Sequence, residues 1–411
     1  MPAATTTRRV AITGMGAISP LGVGAEALWQ GLREGRSAIA PLRHPDAGRL
    51  RVKVAAQVPE SFDPAANIDE RTLPMLDRTS EFALHAAHEA IVQSGLDFGL
   101  DGLGLRTAVI MGTGVGGETT QDEQSRRLYA ENSSRVHPLS IVRLMTNASA
   151  SQISIAWGLR GPTFAVASAC ASANHAIIQA VQMIRHGLAD VAIAGGTEAC
   201  LSYGALRAWE AMRVLADDTC RPFSANRRGL VLGEGAGIFV LESMERAQAR
   251  GAVILAELAG GGMTADATDI VMPSAPGAAG AMTQALDEAG LAPQDIDYIN
   301  AHGTGTQAND ATETKAIRLA FGAHADRVAV SSTKSMHGHA LGASGALELV
   351  AVVCALRDAV VPPTANLDQA DPACDLDYVP NVAREMPVRA ALSNSFAFGG
   401  LNAVLALKRA P

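Results

Sequence analysis

The chain has 411 residues and a formal net charge of −8; 48% of it is hydrophobic and only 4% aromatic. That length allows two domains or one large fused unit, and a core of mainly Ala, Val, Leu and Ile suits close packing of helices on sheets. The cations are scattered, as at Arg8-Arg9, Arg126-Arg127 and Arg227-Arg228. Without a basic cluster to meet phosphates, nucleic-acid binding is excluded.

The N-terminal stretch MPAATTTRRVAITG lacks the apolar run of a secretory leader. No uninterrupted apolar segment is long enough to span a bilayer. RRVAITGMG reads as a first strand ending in a glycine turn, and AEALWQGLREG as a helix stopped by Gly35. TAVIMGTGVGG, from Thr107, is a strand entering a glycine-rich loop. Its Gly112, Gly114 and Gly117 match GxGxxG, but Glu118 follows at once and would face a pyrophosphate with the wrong charge. The loop is therefore read as a tight turn and not as a dinucleotide site.

FAVASACASANHAIIQAVQMI, from Phe164, raises the central chemical question. Cys170 sits between a strand and a helix with apolar residues at Ala173, Ile177, Ala180, Val181 and Ile184, closed by Gly187. Buried cysteines are mostly inert packing groups. A helix N-terminus favours a thiolate and can offer an N–H to an oxyanion, so a nucleophile is the competing reading. The other cysteines, Cys200, Cys220, Cys354 and Cys374, show no CxxC spacing, which argues against disulfides or structural zinc and fits a reducing cytoplasm.

The second part of the chain repeats the first. IDYINAHGTGT (Ile296) parallels TAVIMGTGVGG, and VAVSSTKSMHGHALGASGALELVAVVCAL (Val328) parallels the Cys170 segment. RAALSNSFAFGG (Arg389) parallels DVAIAGGTEA (Asp190). Strands alternating with helices imply largely parallel sheets, here in two duplicated α/β halves, 1–250 with the cysteine and 251–411, joined near residues 251–266. His302, and His339 with Lys334 upstream, lie at C-terminal ends of strands, where open α/β sheets place ligands. His339 is read at the turn equivalent to that of Cys170. A pseudo-twofold axis would bring these groups together.

VASACASA, NAHGTGT, SSTKSMHGHALGASGALE, RPFSANRRGLVLGEGAG and NSFAFGGLN, in that order, resemble the β-ketoacyl-acyl carrier protein synthases of the I/II type, over essentially the whole chain. The resemblance implies a thiolase fold of five α-β-α-β-α layers, and a homodimer or a heterodimer with a related subunit. It implies a decarboxylating Claisen condensation on acyl carrier protein substrates, with no metal and no redox cofactor, the phosphopantetheine belonging to the carrier.

The resemblance also assigns residues. Cys170 is the acyl-accepting nucleophile, and His302 and His339 polarise the malonyl thioester carbonyl. Lys334 and Glu313 order the histidines. The Cys170 and Phe398 N–H groups form an oxyanion hole, and Phe398 gates the acyl channel. Thr304 and Thr306 contact pantetheine, Val115 and Tyr203 line the acyl pocket, and Arg71 and Arg207 dock the carrier.

Several positions depart from the housekeeping pattern: Asn309 in NDATET, His337 in place of threonine, Arg228 in place of an acid, Val271 in place of a pantetheine-facing threonine, and Pro74-Met75 near Arg71. They resemble specialised polyketide, aryl-polyene or nodulation-type branches. His337 is read either as a loop residue facing solvent or packing, or as a donor in the cleft.

Overall fold

A computed structural model of the chain describes residues 8–410. The stretch MPAATTT, where no apolar leader was expected, lies outside the described residues.

Ten strands fall into two sets of five that repeat each other. The first set is β1 (Val10–Ser19), β2 (Thr107–Gly112), β3 (Thr163–Val166), β4 (Val191–Glu198) and β5 (Gly235–Ser243). The second is β6 (Ala256–Ala265), β7 (Tyr298–Asn300), β8 (Ala329–Ser331), β9 (Ala390–Ala397) and β10 (Leu401–Arg409). The spatial orders are β3-β2-β4-β5-β1 and β8-β7-β9-β10-β6. In both, the three strands farthest from the join run parallel and the remaining pairs antiparallel, so the sheet is mixed and not largely parallel as expected. Pairing of Val10–Ile12 in β1 with Ala256–Leu258 in β6 joins them into one sheet.

Side-chain alternation along the strands builds the layers. In β2, Ala108 and Ile110 enter the central core, whereas Val109 and Met111 enter an outer one. The central core is filled by helices α2 (Ser172–Arg185) and α5 (Ser344–Asp358), one from each half. Helix α1 (Arg78–Ser94) covers the outside of the first set of strands. Helices α3 (Ala275–Ala289) and α4 (Gln307–Phe321) cover the second. The expected α-β-α-β-α layering is therefore present.

One local expectation needs correcting. β1 does not end at its glycines but runs through Gly14 and Gly16 to Ser19. A Cβ at either glycine would collide with the carbonyl of Ala90 or Ala86 in α1. These glycines let a helix lie close on the strand and are not a turn signal. Gly260 and Gly262 in β6 do the same against α3. Among the described residues, no helix is long and apolar enough to cross a membrane.

Candidate active site

Each half ends a strand in a short 3₁₀ turn that launches a central helix. β3 leads to Ala169–Ala171 and α2, and β8 leads by way of Lys334–His337 to Leu341–Ala343 and α5. Ala169 (φ 49°) and Leu341 (φ 42°) both adopt the left-handed region, unusual for residues with a Cβ. The counterpart of Cys170 is therefore Gly342, and His339 lies three residues before it, which corrects the expected equivalence. Gly342 has no side chain because a Cβ there would strike the Gly114 N–H. Glu198, buried at the end of β4, accepts from Gly114 N (2.6 Å), Gly342 N (2.9 Å) and Thr113 Oγ1 (3.0 Å). The glycine loop thus spends its Gly114 N–H on a carboxylate and brings the two turns together, as a tight turn should.

Cys170, His302 and His339 converge, with their ligand-type atoms all within 4.8 Å of one another. The Cys170 Sγ is 3.0 Å from His339 Nε2, and His339 Nδ1 is 2.8 Å from Ser344 Oγ. The two imidazoles meet edge to face at 5.4 Å between centroids. Lys334 Nζ, fully buried, donates to the His302 carbonyl (2.7 Å), faces His302 Nδ1 (3.3 Å) and pairs with Glu348, also fully buried.

These contacts fix proton positions. An ammonium can only donate, so His302 Nδ1 is an acceptor and its proton sits on Nε2, toward the cleft. A hydroxyl both donates and accepts, so Ser344 leaves His339 free to present Nε2 in either role. Burial, and then the Lys334 charge, hold both histidines well below the usual imidazole pKa, so both are neutral. Cys–His–His is a plausible zinc donor set, but the ammonium beside His302 opposes a cation there.

The Cys170 thiol differs from the expected thiolate. Burial pushes its pKa up to about 12, although Lys334 draws it down. Cys170 is therefore a neutral thiol with His339 Nε2 as its hydrogen-bond acceptor. Alkylation of Cys170 by iodoacetamide, followed on its own peptide by mass, is expected to rise about tenfold per pH unit from pH 7 to 9. A rate flat over that range would mean either a thiolate already formed or a proton taken by His339 as the sulfur reacts.

Glu313 orders His302 through the main chain and not through the ring. Its carboxylate accepts from the backbone N–H of His302 (2.8 Å) and of Gly303 (2.7 Å), and from Asn394 Nδ2 (3.2 Å). A cleft leads from Cys170 past His302 and His339 to the surface. Thr304, Thr306 and Asn309 are on its walls, and Phe398 stacks on Trp209 at 6.0 Å. The Phe398 N–H has no hydrogen-bond partner among the described residues.

Other assigned residues stand elsewhere. Tyr203 does not line the cleft; it starts the helix Tyr203–Met212 and stacks with His44 and Arg49. Trp209, two turns on, lines the cleft instead. Val115 is 46% exposed, outside the cleft wall. Arg207 is exposed but tied to Glu210 (2.6 Å), whereas Arg213, between the wall residues Trp209 and Val214, is exposed with no ion pair among the described residues. Arg71 is exposed, its backbone N–H donating to Asp69 (2.7 Å). Arg228 forms a surface pair with Asp217. His337 neither faces solvent nor lines the cleft. It is fully buried beside Thr333 Oγ1 (3.0 Å), where burial pushes its pKa to about 3 and keeps it neutral.

Comparisons with known proteins agree along the whole chain. The profiles described as Beta-ketoacyl synthase, N-terminal domain and Beta-ketoacyl synthase, C-terminal domain match residues 7–247 and 255–368. Nodulation protein E of Rhizobium meliloti (strain 1021) is 52% identical, covering 98% of this chain and 99% of that protein. The 3-oxoacyl-[acyl-carrier-protein] synthase 2 of Synechocystis sp. (strain ATCC 27184 / PCC 6803 / Kazusa) is 43% identical, covering 98% of each. Among solved structures, the ishigamide ketosynthase/chain length factor superposes with a TM-score of 0.93 at 38% identity, covering 99% of this chain and 100% of that one.

Proposed function

The chain belongs to the β-ketoacyl synthase family, and on that premise we propose that Cys170, His302 and His339 carry out its condensation, with Lys334, Glu348 and Glu313 as positioning residues. The enzyme is an acyl-transferring condensing enzyme that extends an acyl group with malonyl-acyl carrier protein, releasing CO₂. Its substrates travel on the carrier's phosphopantetheine.

In the first half-reaction, Cys170 Sγ attacks the carrier thioester while its proton passes to His339 Nε2, 3.0 Å away. The tetrahedral oxyanion is met by the N–H groups of Cys170 and Phe398. Collapse breaks the carrier C–S bond, and His339 returns the proton to the departing pantetheine sulfur. The acyl group is now a thioester on Cys170.

In the second half-reaction, malonyl-carrier enters by the same cleft. Its C–C bond to the carboxylate breaks, CO₂ leaves, and the electron pair passes into an enolate whose oxygen accepts from the Nε2–H of His302 and of His339. The enolate carbon attacks the Cys170 thioester, the C–S bond breaks, and the sulfur takes up one proton from solvent. The observation that carries this reading is the orientation of His302: Lys334 on Nδ1 makes it a donor at all times, as enolate stabilisation demands and as a general base would forbid.

The free edge of β3, with Thr163–Val166 all half-exposed, flanks the exposed side chains Ile141, Val142 and Ile155. This is the surface on which a second copy would pair, covering Val115. A partner of the chain-length-factor type is the alternative, suggested by the ishigamide relative. Five unpaired, buried cysteines fit a cytoplasmic location. Mixing with hexanoyl-carrier protein is expected to add one hexanoyl mass to Cys170, absent in Cys170→Ala; no adduct on the parent enzyme with any acyl-carrier would overturn the reading.

A further inference from the structure

The loop between β6 and α3 carries three successive exposed apolar side chains, Ile270 (77% exposed), Val271 (45%) and Met272 (56%). Their exposure is not that of a loose segment. Asp269 accepts from the N–H groups of Val271 (2.7 Å) and Met272 (2.9 Å), and Asp266 from that of Ser274 (2.9 Å). The Ile270 carbonyl accepts from Gly399 N (2.8 Å), next to Phe398. Val271 and Met272 also form part of the cleft wall, while Ile270, beside them, lies outside it. The helix that supplies the wall residue Trp209 ends in Met212 (42% exposed) and Arg213, directly before the wall residue Val214.

We infer that Ile270, Val271, Met272 and Met212 form an apolar rim that selects an acyl carrier protein presenting an apolar helix face, with Arg213 contributing a single charge contact. The inference rests on the condensing function proposed above, because that function requires a carrier to seat at this mouth. A contiguous apolar patch on a soluble surface marks an interaction site. The rim surrounds the entrance through which the thioester must pass, which makes the carrier its occupant. Of the arginines on the helix Tyr203–Met212 and its cap, Arg207 is paired with Glu210 and Arg213 alone is unpaired among the described residues, not the cluster an anionic lipid surface would call for. Recognition by burial is also insensitive to salt, unlike recognition by exposed charges.

The test compares Ile270→Asp, Ile270→Leu and the parent, with hexanoyl-carrier protein and free hexanoyl-pantetheine as donors to Cys170. For the carrier donor, Ile270→Asp is expected to raise the half-saturating concentration roughly tenfold, the effect of losing one large apolar contact. Ile270→Leu restores it. With hexanoyl-pantetheine the three proteins agree within about twofold, and 0.5 M NaCl leaves the parent's carrier affinity within about threefold. An unchanged carrier response in Ile270→Asp overturns the rim, as does equal weakening with both donors or a salt effect of about tenfold. Binding of the parent to phosphatidylglycerol vesicles that Ile270→Asp abolishes would make the patch a lipid surface and overturn it too. If neither donor acylates the parent, the condensing reading itself falls, a result distinguishable from failure of the rim alone.

Discussion

Replacing Cys170 with glutamine is expected to abolish chain elongation, by at least about 10⁴-fold, while decarboxylation of malonyl-carrier continues. The two half-reactions use different parts of the site. Only the first needs a sulfur, and the carboxamide offers no nucleophile to replace it. Decarboxylation needs donors at the enolate oxygen, and these are His302 Nε2–H and His339 Nε2–H. His302 is held by Lys334 and Glu313, neither of which touches position 170. His339 keeps Ser344 on its far nitrogen. The variant therefore loses the acyl acceptor but retains the donor pair, and CO₂ is released without a carbon–carbon bond being formed.

Replacing His302 with alanine gives the complementary defect. Decarboxylation and condensation fall together by at least about 100-fold, the scale of losing one preorganised donor to a developing oxyanion. Acylation of Cys170 stays within about tenfold of the parent, because its proton acceptor, His339, is intact. Single-turnover acylation by intact mass and ¹⁴CO₂ release from malonyl-carrier separate the two steps. Equal loss in both would mean that His302 serves the first half-reaction as well, against the donor-only role that Lys334 imposes on it.

Much of the site was legible because its motifs sit at strand ends. Cys170, His302, Lys334 and His339 each stand where an α/β sheet gathers ligands, and the repeat implied that two halves would bring them together. What the repeat did not reveal was register. His339 was matched to Cys170, whereas the left-handed residues Ala169 and Leu341 pair Cys170 with Gly342. Glu348 was missed although it left a signal: it is the single charge between Ser344 and Leu356, in a helix otherwise charged only at its C-terminal Arg357-Asp358, and a buried lysine needs a counter-ion. Glu198 at the end of β4 left a similar trace.

Tyr203 and Trp209 show a different limit. Both neighbour Leu206 on one face of the same helix, but they lie about 9 Å apart along its axis. The resemblance assigned Tyr203 by motif position alone, and Trp209, which lines the cleft, carried no motif signal. Arg207, which the resemblance assigned to carrier docking, is paired with Glu210 three residues later, a contact its motif position does not display. The glycines of β1 were misread because a close helix crossing and a turn leave the same residue in the sequence.

The central claim is that one site performs two separable reactions, acyl capture on Cys170 and decarboxylation under the two histidines. It is tested most directly by counting CO₂ and 3-oxoacyl-carrier in the same reaction, for the parent and for Cys170→Gln. The account predicts one CO₂ per 3-oxoacyl product in the parent, and CO₂ with no 3-oxoacyl product in the variant. Elongated product from Cys170→Gln, or loss of CO₂ release together with elongation, would contradict it.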